Sequence, residues 1–186
     1  MFNSFPSVLL QRIRSEAYHF VVSKHHFFQY IYQFEREIFN KLCSDVMVEQ
    51  SVDRGHHVFV AETEGEGMYF MCHGKLSYTE DSFGVTDSAT FMDMSQRPEG
   101  LWRLVTATAT GAISEVSMWL HWFHRGTLIG EAVVSDLLFV AAERFREVMK
   151  ATLLSNDVRL YARLYAMRAL RAGKEGKEVD DLWHED

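Results

Sequence analysis

Between Asp45 and about Phe139 the chain is a succession of short β-prone runs, each cut off by turn chemistry, and no long helix fits that pattern. Asp45 to Val52 ends at Asp53-Arg54-Gly55, and His56 to Thr63 ends at Glu64-Gly65-Glu66-Gly67. Met68 to Cys72 is followed by His73-Gly74, then by Lys75 to Thr79. A turn region at Ser82 to Gly84 precedes Ala89 to Met94, and Pro98-Glu99-Gly100 precedes Leu101 to Thr110. Strands this short and this closely spaced predict an antiparallel sandwich or jelly roll rather than a parallel sheet, whose crossovers need a dozen residues or more.

Helical periodicity brackets this block on both sides. Ahead of it, Pro6 follows Asn3 and Ser4 as a cap and first turn. Leu9, Leu10, Ile13, Ala17, Phe20 and Val21 share about a third of a helical circumference, with Arg12, Glu16 and Ser23 on the other side. A second aromatic-rich stretch, Phe27 to Cys43, repeats Phe34, Ile38 and Leu42 every fourth residue. After the block, Ala141 to Leu153 reads as a short amphipathic helix, and Ser155-Asn156-Asp157 as a break and new N-cap. From there Leu160, Leu164, Met167 and Arg171 align on one face, with Tyr161, Tyr165 and Arg168 on the next. The sequence therefore predicts an α+β chain: an antiparallel β-roll (jelly roll) flanked by N-terminal helices and C-terminal helices. Residues 173–186, GKEGKEVDDLWHED with its preceding Ala172 excluded, read as a flexible acidic tail.

Composition narrows the classes. Apolar residues at 47% and charged residues at 24% give enough core for a globular domain. A formal net charge of −7 offers no electrostatic support for a nucleic-acid groove. Cys43 and Cys72 are too few for a disulfide framework and read as two free thiols in a reducing compartment. Arg12, Arg14 and Glu16 interrupt the stretch a secretory signal would need, and no apolar run reaches a membrane span, so a cytoplasmic chain is expected.

The segment most able to carry chemistry is Gly111 to Leu128, GAISEVSMWLHWFHRGTL. It sets the Glu115 carboxylate about ten residues before the Arg125 guanidinium, with a short amphipathic stretch between. Arginine's planar fork suits a phosphate, free N–H groups at a helical piece suit an anion, and a carboxylate suits sugar hydroxyls. The same spacing also fits a Glu–Arg pair on a solvated helix.

From Phe5 to Leu170 the order of pieces resembles the cyclic-nucleotide-binding domain, with the end of its linker, of eukaryotic channels of the hyperpolarisation-activated, cyclic-nucleotide-gated and ether-à-go-go type. FPSVLLQRIRSE resembles the family's last linker helix, HHFFQY its linker junction, and FEREIFNKLCSDV the first helix of its binding domain. DRGHHVFVAETEGEGMYFMCHGKLSYT carries the most specific likeness: Gly55, the apolar Val58 to Val60, the acidic turn Glu64 to Gly67, Met68-Tyr69-Phe70, and Gly74. The resemblance implies a linker end at 1–26 and a binding domain at 27–172, with a roll at about 45–139 and helices at about 140–172. It implies a phosphate-binding cassette over Ile113, Ser114 and Glu115 and over Arg125, Gly126 and Thr127. There Glu115 would accept from the ribose 2′-hydroxyl, Arg125 would hold the cyclic phosphate of cAMP or cGMP, and backbone N–H groups at Ser114 and Glu115 would complete the site. Thr127 would reach the phosphate or base. The last helix would fold over the base as a lid, with Leu160, Leu164 and Met167 apolar and Arg163 or Arg168 in contact. A channel transmembrane domain and a homotetramer through the linker helices are the implied partners, placing the domain at the cytoplasmic face of a membrane.

Three departures keep a rival open. Ser114 stands where the family has Gly; Trp119, Trp122 and Phe123 enlarge the cassette; Gly126 removes a small side chain that often makes a contact. The rival is a domain of the same fold without nucleotide, its pocket empty or filled by the chain itself, serving interaction or gating. A kinase-regulatory subunit is a further alternative, although no Arg-Arg-x-Ser segment precedes the roll. No enzymatic activity is expected: neither cysteine has a neighbouring base in sequence, and no Gly-x-Ser-x-Gly or His-x-His occurs. His121 and His124, three apart, lack a third zinc ligand, so neither a metal nor a cofactor is expected. Met47, Met68, Met71, Met92 and Met94 read as core filler.

Overall fold

The computed structural model describes residues 7–80, 102–106 and 111–183. Expected features at Pro6, at 82–100 (Met92 and Met94 included) and in part of 101–110 lie outside them. Three helices come first: α1 (Ser7–Val22), α2 (His26–Phe34) and α3 (Arg36–Asp45). Four strands follow, β1 (Met47–Asp53), β2 (His57–Phe59), β3 (Gly67–His73) and β4 (Lys75–Glu80), and then β5 (Trp102–Thr106). A four-residue helix α4 (Val116–Trp119) leads to β6 (Gly126–Gly130) and β7 (Val134–Ala141), and α5 (Ala142–Lys150) and α6 (Ser155–Lys174) close the order.

Two antiparallel sheets form the roll, one ordered β1-β7-β3 and the other β2-β6-β4-β5. Between them lies an apolar layer of Phe59, Tyr69, Met71, Leu76, Tyr78, Leu128 and Leu137 among others. The three-stranded sheet is covered on its other face by the helices, where Met68, Phe70, Leu138 and Val140 join Phe28, Ile31, Phe39, Leu42 and Phe145. Burial on both faces explains why Met68 to Met71 is continuously apolar instead of alternating. Gly74 makes the β3–β4 turn with φ +95°, and a Cβ there would lie 2.7 Å from Ser135 Cα, so only glycine fits.

The helices depart from the expected faces. α1 buries Ser15, Tyr18 and Val22, while Leu9, Ile13 and Phe20 point to solvent, Phe20 at 78% exposure. The stretch 27–43 is two helices, broken at Glu35 with φ −135° and ψ 62°, which leaves Phe34 exposed. In α5, Phe145 and Met149 are buried as expected, but Leu153 beyond it is exposed. The stripe of α6 is also reversed: Tyr165, Ala169 and Ala172 are buried, and Leu160, Leu164 and Met167 face outward, with Arg163 also exposed. None of the last four lies over the roll as a lid. No helix among the described residues is long and apolar enough to cross a membrane.

The tail is a larger departure. Asp180 and Asp181 are buried, at 4% and 1% exposure, and Leu182 packs against the layer between the sheets. The expected flexible acidic tail is, over these residues, part of the domain.

Candidate functional site

Gly111 to Leu128 folds as a bridge, one helical turn and a strand entry rather than one amphipathic helix. Ile113 pairs with Tyr69 of β3 through two backbone hydrogen bonds of 2.8 and 2.9 Å, which anchors the start of the cassette to the roll. Ser114 follows with φ +56°, a left-handed conformation an L-residue adopts at a cost of about 1–2 kcal/mol. Glycine would take this conformation without strain. The turn aims the Ser114 N–H at the tail, where it donates to the Asp181 carbonyl at 2.6 Å. The Ser114 hydroxyl shares a hydrogen bond of 2.7 Å with that of Ser117.

The Asp181 carboxylate fills the centre of the cassette. One oxygen accepts from Trp122 Nε1 at 2.8 Å and lies 2.7 Å from His124 Nδ1, with Ser114 Oγ at 3.4 Å. The other accepts from the Arg125 N–H at 2.7 Å, the Gly126 N–H at 3.2 Å and the Tyr78 hydroxyl at 2.9 Å. Burial by itself would raise the pKa of Asp181, but the bonds from His124, Trp122 and Tyr78 win and hold it below the ordinary value. Burial, reinforced by this carboxylate, pushes the Tyr78 phenol far up, so it remains a neutral donor. The His124 imidazole is fixed from its other side by stacking on Phe59, with centroids 3.8 Å apart. This places His124 in the anion cradle and not in a zinc pair; His121 is exposed beside Glu64. Among the described residues no group of three or more His, Cys, Asp or Glu is placed to hold a metal.

The neighbouring tail residues secure the dock. Asp180 pairs with Arg103 of β5 and accepts from the Leu182 N–H at 2.9 Å. The Trp183 ring meets Tyr165 of α6 edge-on at 5.3 Å. Gly126 has no room for a side chain, because a Cβ would lie 2.3 Å from the Thr79 carbonyl oxygen and against the Tyr78 ring.

The six cassette residues named from the sequence divide. Ser114, Arg125 and Gly126 meet Asp181, the last two through their backbone N–H groups. The Arg125 side chain is exposed and lies over the Trp122 ring, 5.3 Å from its centroid. Thr127 is turned toward the roll, its Oγ1 accepting from the Ala61 N–H at 3.1 Å, and Ile113 is core. Glu115 faces the helices: its carboxylate lies 3.1 Å from His25 Nε2 and accepts from Trp119 Nε1 at 3.1 Å and the Tyr161 hydroxyl at 3.0 Å. Desolvation opposes its charge, yet these donors, His25 foremost, keep its pKa below the ordinary value. Sequence reasoning placed Trp122 and His124 in the cassette stretch without giving them a ligand-facing role, and missed Tyr78 and above all Asp181. The one signal for the last was VDDLW, an acidic pair set among apolar residues in an otherwise polar tail.

Chemically, the cradle is a set of convergent donors (two backbone N–H groups, an indole, an imidazole, a phenol and a hydroxyl) around one anionic position. A carboxylate satisfies it, and the oxygens of a phosphate ester have the same acceptor character.

No family model matches the chain, and no curated protein matches it. Solved structures are similar to it, two of them as follows. One is the C-linker/CNBHD of zELK channels, with 14% identity, 82% of this chain and 73% of that chain covered, and a TM-score of 0.49. The other is a cyclic nucleotide-binding-like protein from Brucella abortus bv. 1 str. 9-941, with 10% identity, 70% and 95% covered, and a TM-score of 0.50. The helices packed on an antiparallel sandwich are the fold of a cyclic-nucleotide-binding-like domain.

Proposed function

We propose that the chain is a regulatory domain of the cyclic-nucleotide-binding type whose phosphate position is held by its own tail, and that it switches between a tail-docked and a tail-displaced state. The observation that carries this is the buried Asp181 carboxylate, which takes two backbone N–H groups and three side-chain groups of the cassette together with the Tyr78 hydroxyl of β4. A cyclic nucleotide, cAMP or cGMP, is the displacing ligand in this reading. Its singly charged phosphodiester would take the same donors, with the Arg125 guanidinium free to swing from Trp122 toward it. Displacement moves the last segment off α6, and the change passes to α1 and α2 on the opposite side of the cassette. In a channel-like parent those helices would carry it to a pore at the cytoplasmic face of the membrane. No catalytic step is part of this reading.

The test is calorimetric titration of cAMP and cGMP into the wild type, Asp181→Ala, and a chain ending at Lys177. If the docked state outweighs the displaced one by roughly 100 to 1, the apparent affinity rises about 100-fold when the tail is removed. Tighter binding by both variants supports the displacement reading. Absence of heat from all three at millimolar nucleotide overturns it and leaves a second reading, a nucleotide-free interaction and gating module. A separate observation favours that second reading: Glu115, the residue meant for the ribose, is already engaged by His25, Trp119 and Tyr161.

A further inference from the structure

The outward face of α6 is apolar and basic along most of its length. Leu160, Leu164, Met167 and Leu170 are 57%, 42%, 65% and 67% exposed. At about 100° per residue these four, with Arg159, Arg163, Arg171 and Lys174, occupy less than half the circumference, opposite the buried Tyr165, Ala169 and Ala172. The helix holds five Arg or Lys against one Asp, a net charge of +4, in a chain whose formal net charge is −7. The apolar stripe is therefore flanked by cations on an otherwise acidic protein, Arg171 among them being paired with Glu175 just beyond the helix.

We infer that this face of α6 docks in the interfacial layer of an anionic lipid bilayer, with the helix axis in the membrane plane. A basic amphipathic helix with long cationic side chains beside leucines suits that environment: the apolar side chains enter the acyl boundary while Arg and Lys reach the headgroups. Twenty residues give a contact line of about 30 Å. Two alternatives fit less well. A protein clamp that encircles its target helix is blocked, because the opposite side of α6 is packed against the domain. A second copy using the same face would bring two sets of like charges together. A bilayer needs access from one side only, and its negative headgroups complement the +4 helix while the acidic remainder of the chain turns away. This docking is independent of whether nucleotide displaces the tail.

The measurement is co-sedimentation of the full chain with phosphatidylcholine vesicles and with vesicles containing 30 mol % phosphatidylserine. The expected result is binding to the second and not the first, weakened at least tenfold by 0.5 M salt. Leu160→Ser with Met167→Ser, and separately Arg159→Glu with Arg163→Glu, are expected to reduce it by a similar factor at an unchanged thermal midpoint. No binding to anionic vesicles, or binding that survives both double substitutions, overturns the inference. So does a dimer in sedimentation velocity that Leu160→Ser with Met167→Ser dissociates, since the face would then already be covered. Complex formation with an acidic, methionine-rich groove protein in the absence of vesicle binding overturns it in favour of a protein partner.

Discussion

At the scale of single residues the cassette rests on one strained serine and one buried carboxylate. Ser114 holds φ +56° and uses its hydroxyl on Ser117. Ser114→Gly removes both the strain and one hydrogen bond, so it is expected to stay within about 1 kcal/mol of wild type in chemical denaturation. Ser114→Ala keeps the strain and loses the bond, at a cost of about 1–3 kcal/mol. Alanine proving as stable as glycine would show that the left-handed turn carries no penalty here. Asp181 and Glu115 both have native pKa values below their ordinary ones, so each binds its proton less readily folded than unfolded. Their stabilisation is present above the ordinary carboxylate range and is lost as pH falls from about 5 through 4 and below. The thermal midpoint is expected to drop over that interval. Asp181→Asn is expected to be less stable than wild type at pH 7, with the difference narrowing as pH falls below the ordinary carboxylate range. Parallel curves for the two proteins would remove Asp181 from the acid transition. The sequence made Ser114, Arg125 and Gly126 legible because cassette residues lie close together in the chain. Asp181 was not legible, since its partners sit 56, 57, 59 and 103 residues away at Arg125, His124, Trp122 and Tyr78. Nothing local in a polar tail says that one of its carboxylates is buried.

Elements were read well where a single local rule decides them. Turn chemistry placed β1, β3 and β4 within a residue or two, because Gly and Asp act on the backbone of their own neighbourhood. Helical faces were read backwards in α1 and α6, where periodicity locates an apolar stripe without saying what covers it. In α1 the buried side is chosen by Tyr18 and Val22, and in α6 by Tyr165, Ala169 and Ala172, whose small or aromatic side chains allow close approach to the domain. The reversal in α6 changes what its removal should do. Because the tail docks and the leucine stripe does not, a chain ending at Lys177 is the informative truncation. It is expected to lose about 1–3 kcal/mol of stability, since the freed cassette donors find water instead of a carboxylate. Hydrogen exchange should accelerate at the amides of Ser114, Arg125 and Gly126, which now donate to Asp181, and stay unchanged at Ile113, which donates to Tyr69. Protection persisting at the first three would mean that the tail is not their partner in solution.

Across the whole molecule, the tail site and the helical layer meet at a single peptide. Ser114 gives its N–H and hydroxyl side to Asp181, while the next residue, Glu115, sends its carboxylate the other way to His25 ahead of α2, Trp119 of α4 and Tyr161 of α6. His25 lies among Phe28, Phe70 and Tyr161, so its contact with Glu115 and the aromatic packing hold each other in place. Undocking Asp181 frees Ser114 to relax its left-handed turn, and any relaxation rotates the adjoining peptide and pulls on Glu115. The two sites are then coupled through backbone geometry, and a double-mutant cycle reads that coupling directly. Asp181→Ala alone costs the docked carboxylate. Glu115→Gln alone costs about 1–3 kcal/mol, because a buried charge partner of His25 becomes an amide. If the Ser114–Glu115 peptide transmits the change, the two losses fall short of additivity by about 0.5 kcal/mol or more, well above the few tenths expected of independent sites. The same cycle with Asn40→Ala in place of Glu115→Gln should be additive, since Asn40 lies on α3 and its side-chain oxygen takes no hydrogen bond among the described residues, from the tail or from Glu115. Additive losses for both pairs would leave tail docking confined to the cassette, with no path from Asp181 to the helical layer around Glu115 and His25.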